Sequence, residues 1–152
     1  MKILVTGAWS QGNLASEKLN EMGHEAVFMQ NENEALPCSA DEFDGVICNG
    51  LFLHHDIEEF TNLKYIQLTS VGLDRVPMGY VNEKGIKIYN AGGVYSVPMA
   101  EFAISGVLQL YKKANFFCAN QKAHKWEKNR ELREINGKTV CIVGCGNVGS
   151  EC

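Results

Sequence analysis

Five short apolar runs, each ended by glycine or small polar residues and separated from the next by a helical pattern, constrain this chain more than any other feature. They are Ile3-Leu4-Val5-Thr6 ending at Gly7, Glu25 to Met29, Gly45-Val46-Ile47-Cys48 opening on Asn49-Gly50, Lys64 to Thr69 ending on Ser70-Val71-Gly72, and Ile86 to Tyr89 ending in Asn90 to Gly93. Between them, Asn13 to Met22 reads as a helix closed by Gly23, Asp56 can cap a short helix over Ile57 to Phe60, and Pro77 starts another that Gly85 stops. Strands alternating with helices pair by crossovers, so the pattern predicts an α/β fold built on a parallel, doubly wound five-stranded sheet.

The polar and glycine-rich turns at Gly7, Asn49-Gly50, Ser70 to Gly72 and Asn90 to Gly93 all follow strands, at their carboxyl ends, where open α/β sheets bind ligands. Two such turns with free backbone amides on one edge would hold a small anion such as a carboxylate; the alternative reading, of equal weight, is that glycine only ends a strand. With 45% hydrophobic and 21% charged residues, the 152-residue chain can build a globular core. A net charge of −4 with no basic block argues against nucleic acid or an anionic membrane as partner, and leaves a small polar substrate open. The six cysteines form no Cys-x-x-Cys pair and have no histidine at a zinc-like spacing, so no metal is expected. Cys48 and Cys141 lie inside apolar runs, and no signal peptide precedes the first strand, which together predict a reducing cytoplasm.

From Ser96, which would cap it, a helix is expected with Pro98 in its first turn, running to about Ala119. It is apolar almost all round, yet Glu101, Gln109, Lys112 and Lys113 interrupt the 18 or so apolar residues of a membrane span, so burial between domains is the reading. The boundary falls near Val97, dividing the chain into residues 1–96 and 97–152. Glu127 to Glu134 is a charge run, read as a solvated linker or short helix.

The chain closes on Lys138-Thr-Val-Cys-Ile-Val-Gly144-Cys-Gly146-Asn147-Val148-Gly149, a β-branched run leading into Gly-x-Gly-x-x-Gly. The pattern reads as the strand-into-helix turn of a dinucleotide fold, the alternative being an ordinary glycine-rich loop. Gly144 would allow the tight turn, Gly146 the approach of backbone to a pyrophosphate, and Gly149 the close packing of a following helix. Only Ser150, Glu151 and Cys152 follow. Elsewhere, His24, His54, His55 and His124 have no carboxylate at the spacing of an oriented base and read as surface or loop residues, with a reservation for His54-His55 beside Asn49-Gly50. Tyr80-x-x-x-Lys84 matches a pair found in short-chain dehydrogenases, but on a short helix where theirs is long and packed.

Leu63 to Ile66 with Ser70-Val71-Gly72-Leu73-Asp74, then Gly85 to Asn90, Val97-Pro98-Met99-Ala100-Glu101, Trp126, Gly137 to Val140 and Gly144 to Gly149, resemble in order the motifs of the D-isomer-specific 2-hydroxyacid dehydrogenases. The resemblance covers nearly all of this chain and about half of a family member. It implies a flavodoxin-like substrate domain, an interdomain helix, and the first strand of an incomplete Rossmann domain. It further implies that the Val71 and Gly72 amides hold a substrate carboxylate, that Asn49, Gly50 and Tyr95 line the crevice, and that Gly144, Gly146, Asn147, Val148 and Gly149 approach the pyrophosphate of NAD or NADP. The family's catalytic arginine, glutamate and histidine would lie beyond Cys152, so the resemblance assigns no catalytic residue here, and the chain by itself is expected to bind no cofactor. His124 stands where many members have glycine. The implied reaction is hydride exchange between a nicotinamide and a 2-keto or 2-hydroxy acid, with a homodimer formed through helix 98–119; the alternative class is a non-enzymatic anion-binding module.

Overall fold

The computed structural model describes all 152 residues. Its contacts divide the chain into two compact units, Met1–Gly92 and Gly93–Cys152.

The first unit is the expected α/β sheet. Strands β1 (Lys2–Thr6), β2 (Glu25–Met29), β3 (Gly45–Cys48), β4 (Tyr65–Leu68) and β5 (Lys87–Tyr89) pair in the order β2-β1-β3-β4-β5, every pair parallel. Successive side chains along a strand face opposite sides. Leu4, Val46, Cys48, Ile66 and Leu68 therefore share one face, and they pack with Phe43, Leu51, Ile57, Phe60, Val76 and Val81 into the main core. Val81 comes from helix α2 (Met78–Lys84), which ends at Gly85 in the left-handed conformation (φ 67°) that glycine adopts without strain. Most of the other core residues come from loops and single 3-10 turns at Ala40–Glu42, Leu51–Leu53 and Ile57–Glu59. Asp56 caps the last of these, accepting from Glu58 N at 3.0 Å.

Helix α1 (Gly12–Glu21) lies on the opposite face against β1 and β2. A Cβ at Gly12 would meet the Phe28 ring at 2.7 Å, so glycine there permits the close approach. Beyond α1 this face carries Tyr65, Gln67 and Tyr89, with the two tyrosine rings 5.5 Å apart and Tyr89 54% exposed. The two faces are thus unequally covered.

The second unit departs from expectation in two places. The helix expected from Ser96 to Ala119 is two helices, α3 (Ser96–Tyr111) and α4 (Ala114–Lys122), broken at Lys113 with φ 53°. Only Ser96 and Ala100 of α3 are buried, so little packing holds the helix straight through two consecutive lysines whose charges favour a helix C-terminus. Ser96 does not cap: it is the first helical residue, and Tyr95, in the cap position, makes no side-chain cap bond. The run Thr139 to Val143 forms no strand either. A strand satisfies its backbone through a neighbour, and this unit contains no other strand to pair with. No helix is long and apolar enough to cross a membrane.

Candidate functional site

The carboxyl edge of the sheet is held together by bonds that continue the ladders one or two residues past the strands. Gly7 N donates to Met29 O at 2.9 Å, Thr69 N to Cys48 O at 2.9 Å, and Ala91 N to Ser70 O at 2.9 Å. The turns after β1, β3, β4 and β5 are therefore neighbours in space, at about the 4.8 Å strand spacing. Gly7 is required by this closeness, since a Cβ there would collide with the carbonyl oxygen of Gln30.

Ser70-Val71-Gly72 follows β4. Asn90, after β5, steadies the turn through its Nδ2, which donates to Val71 O at 2.7 Å, and its Oδ1 accepts from Gly92 N at 3.1 Å. Val71 is 50% exposed, and neither Val71 N nor Gly72 N donates to another group of the chain. Two successive amides at a sheet edge thus make no hydrogen bond within the chain, the arrangement that accepts an anion, with the Asp74 carboxylate close beside Gly72.

The neighbouring turn after β3 differs. Asn49 N donates to Glu32 Oε1 at 2.7 Å, Gly50 N to Glu32 Oε2 at 2.6 Å, and the Thr6 hydroxyl to Oε1 at 2.7 Å. Glu32 comes from the acidic loop after β2, and the 2-1-3 strand order carries it across the end of β1 onto the end of β3. In sequence it is one acid among several in that loop, and no local pattern marks it. His55 Nε2 lies 2.9 Å from Glu32 O, while His54 points elsewhere, into a crevice of about 370 Å³ lined also by Gly7, Gln30, Glu32 and Asn49. The Asn49 side-chain oxygen is buried with no partner. Burial raises the Cys48 thiol far above its usual range, and the Glu32 charge adds to this, so Cys48 is a packing residue and no nucleophile.

The remaining expected residues lie in the second unit. Tyr95 directly precedes α3 and is 48% exposed. Gly144 has φ 101°, a conformation that side chains rarely adopt, and a Cβ at Gly149 would collide with Gly144 O, so these two glycines make a tight turn here without the strand before it. Ser150 N donates to Gly146 O at 2.9 Å and Glu151 N to Val148 O at 3.1 Å, leaving one helical turn after the glycines. His124, two residues past α4, has φ 52°, a region that favours glycine. Lys84 Nζ stands 5.4 Å from the Tyr80 ring centre, so this pair is a surface cation–π contact on α2. The six cysteines are all free, and no group of three or more His, Cys, Asp or Glu is placed to hold a metal.

Residues 3–147 match the model of the D-isomer specific 2-hydroxyacid dehydrogenase catalytic domain. The hydroxypyruvate reductase of Thermotoga maritima is 35% identical over 96 residues, which are 62% of this chain and 31% of the relative. The D-3-phosphoglycerate dehydrogenase of Methanocaldococcus jannaschii is 29% identical over 154 residues, covering 99% of this chain and 29% of its own length. Among solved structures, an NADPH-dependent glyoxylate/hydroxypyruvate reductase from Sinorhizobium meliloti in complex with citrate superposes with a TM-score of 0.79 at 23% identity, over 99% of this chain and 48% of that one. An NAD-dependent formate dehydrogenase from Staphylococcus aureus in complex with NAD gives 0.78 at 23%, over 99% and 51%. At such identities the structures speak for the fold. The chain spans about half the length of these solved proteins and under a third of the two sequence relatives.

Proposed function

Because the chain belongs to the family of D-isomer-specific 2-hydroxyacid dehydrogenases, we propose that its first unit is the acid-binding part of an NAD- or NADP-dependent oxidoreductase acting on the CH–OH group of a D-2-hydroxy acid. One observation carries this reading. The Val71 and Gly72 amides are unengaged and steadied from behind by Asn90, on the sheet edge where folds of this kind bind ligands. They would hold the carboxylate of the acid and so fix the position of its C2. A bound nicotinamide supplies the hydride exchanged with C2. Gly144, Gly146 and Gly149 give a turn tight enough for a pyrophosphate, and Asn147 and Val148 would lie beside it. Free cysteines throughout suit a reducing cytoplasm.

The test is an amide chemical-shift titration of the labelled chain with D-lactate or D-glycerate. Val71 and Gly72 are expected to shift most, saturating at millimolar acid or above. If both resonances stay still while others move, the assignment of the carboxylate site fails.

The second unit supports a homodimer through residues 98–119. Phe102 is 81% and Leu110 75% exposed, with Leu108 and Phe117 also open to solvent. A soluble monomer usually leaves no more than a few hundred Å² of contiguous apolar surface bare, and at about 25 cal/mol per Å² covering such an area is worth several kcal/mol. Light scattering behind gel filtration should give at least twice 16.8 kDa at tens of micromolar. A monodisperse monomer there excludes the dimer.

A further inference from the structure

We propose that Glu32 sets substrate specificity at this site, by requiring that the end of the acid remote from its carboxylate be uncharged, as a hydroxyl or hydrogen is, and excluding a phosphate. This rests on the reading that Val71 and Gly72 hold the carboxylate.

The turns after β3 and β4 follow neighbouring strands on this edge, and each presents two successive amides. They are not equivalent. Val71 N and Gly72 N are unengaged, whereas Asn49 N and Gly50 N both donate to Glu32, at 2.7 and 2.6 Å. The Thr6 hydroxyl, wholly buried, completes the hold on the carboxylate at 2.7 Å. An anion of the protein itself thus takes the amides that a second anionic group of a ligand would need. With its carboxylate at the β4 turn, a three-carbon acid is long enough for its third carbon to reach the adjacent β3 turn, about 4.8 Å away. What it meets there is a fixed negative charge, with no lysine or arginine among Asn49 to Leu53. A phosphate would lose the amides and face repulsion at close range in a half-buried crevice. A hydroxyl would instead donate to a lone pair of the Glu32 carboxylate not used by its three present donors.

The experiment is the titration of the full labelled chain with D-glycerate and with D-3-phosphoglycerate, which differ only by the phosphate, in the native protein, in Glu32→Gln and in Glu17→Gln on the outer side of α1. In the native protein D-glycerate should shift Val71 and Gly72 with an affinity at least tenfold higher than D-3-phosphoglycerate. Inorganic phosphate should leave Asn49 and Gly50 unmoved. Glu32→Gln should reduce the preference to threefold or less, while Glu17→Gln, with the same change in net charge, keeps it. Equal affinity for the two acids in the native chain overturns the proposal without any variant, as does an unchanged preference in a folded Glu32→Gln protein. If neither acid moves Val71 or Gly72, the carboxylate reading itself has failed, and the specificity assignment falls with it. Equal binding of both acids at those amides, by contrast, spares that reading and removes only the role of Glu32.

Discussion

Mixed with hydroxypyruvate and NADH or NADPH at micromolar concentration, the 152-residue chain by itself should oxidise the cofactor no faster than buffer does. Reduction of a 2-keto acid needs a hydride delivered to C2 and a proton delivered to its oxygen, and a positioned acid contributes typically 10²–10⁴-fold to such a step. The edge that would hold the acid offers backbone amides at Val71 and Gly72 and an amide side chain at Asn49. None of these acts as a general acid or base at neutral pH. Two of the ionisable groups on this edge are engaged within the chain: Glu32 is held by three donors, and His55 lies on the Glu32 carbonyl. The hydride side is weaker still, because the glycine turn Gly144 to Gly149 has no paired strand before it and a single helical turn after it. The loss of NADH absorbance is the measurement, and turnover clearly above the buffer rate would show that the chain holds catalytic groups not recognised above. Adding the remainder of a full-length relative as a separate polypeptide is the complementary arm, in which activity can return.

Phe60→Ala should destabilise the first unit by about 3–5 kcal/mol, the range for removing a large aromatic side chain from a packed core. Phe60 is almost wholly buried, and its ring meets two others, Phe52 edge-on at 5.7 Å and Phe43 tilted at 6.3 Å. These rings come from the loops between β2 and β4 and pack on the Val46, Cys48, Ile66 and Leu68 face of the sheet. Truncation therefore opens a cavity where loop meets sheet, and loops without long helices cannot slide in to fill it. Since domains of this size are stable by roughly 5–15 kcal/mol in total, the variant should be largely unfolded in modest urea. Phe60→Leu, which keeps most of the volume, should lose no more than about 1.5 kcal/mol. Urea denaturation followed by far-ultraviolet circular dichroism compares the three proteins. A loss below about 1 kcal/mol for Phe60→Ala would mean that the aromatic cluster is not the keystone of this face.

The family relation and the parallel sheet were legible because each strand carries its own signal. Gly45–Cys48 and Glu25–Met29 have the bounds read from the sequence, and the other three strands differ at their ends by one or two residues. A run of β-branched and apolar residues bounded by glycine is a local fact, and the preference it creates is local too. The Asp56 cap and the Gly85 stop belong to the same class, since cap and capped group lie within three residues of each other.

What only the tertiary structure decided is wherever residues distant in sequence had to meet. The helix from Ser96 reads as one because its apolar residues run on past Lys113, yet whether a helix stays straight depends on what it packs against, and here only Ser96 and Ala100 are buried. Thr139 to Val143 reads as a strand by composition, but a strand exists through its neighbour's hydrogen bonds, and no neighbour is present in the second unit. Glu32 is the sharpest case. In sequence it is one acid in a polar loop, 17 residues from Asn49 and 26 from Thr6. Only the 2-1-3 strand order brings it onto the amides of Asn49 and Gly50, because a parallel sheet gathers all its carboxyl ends on one edge however far apart they lie in the chain.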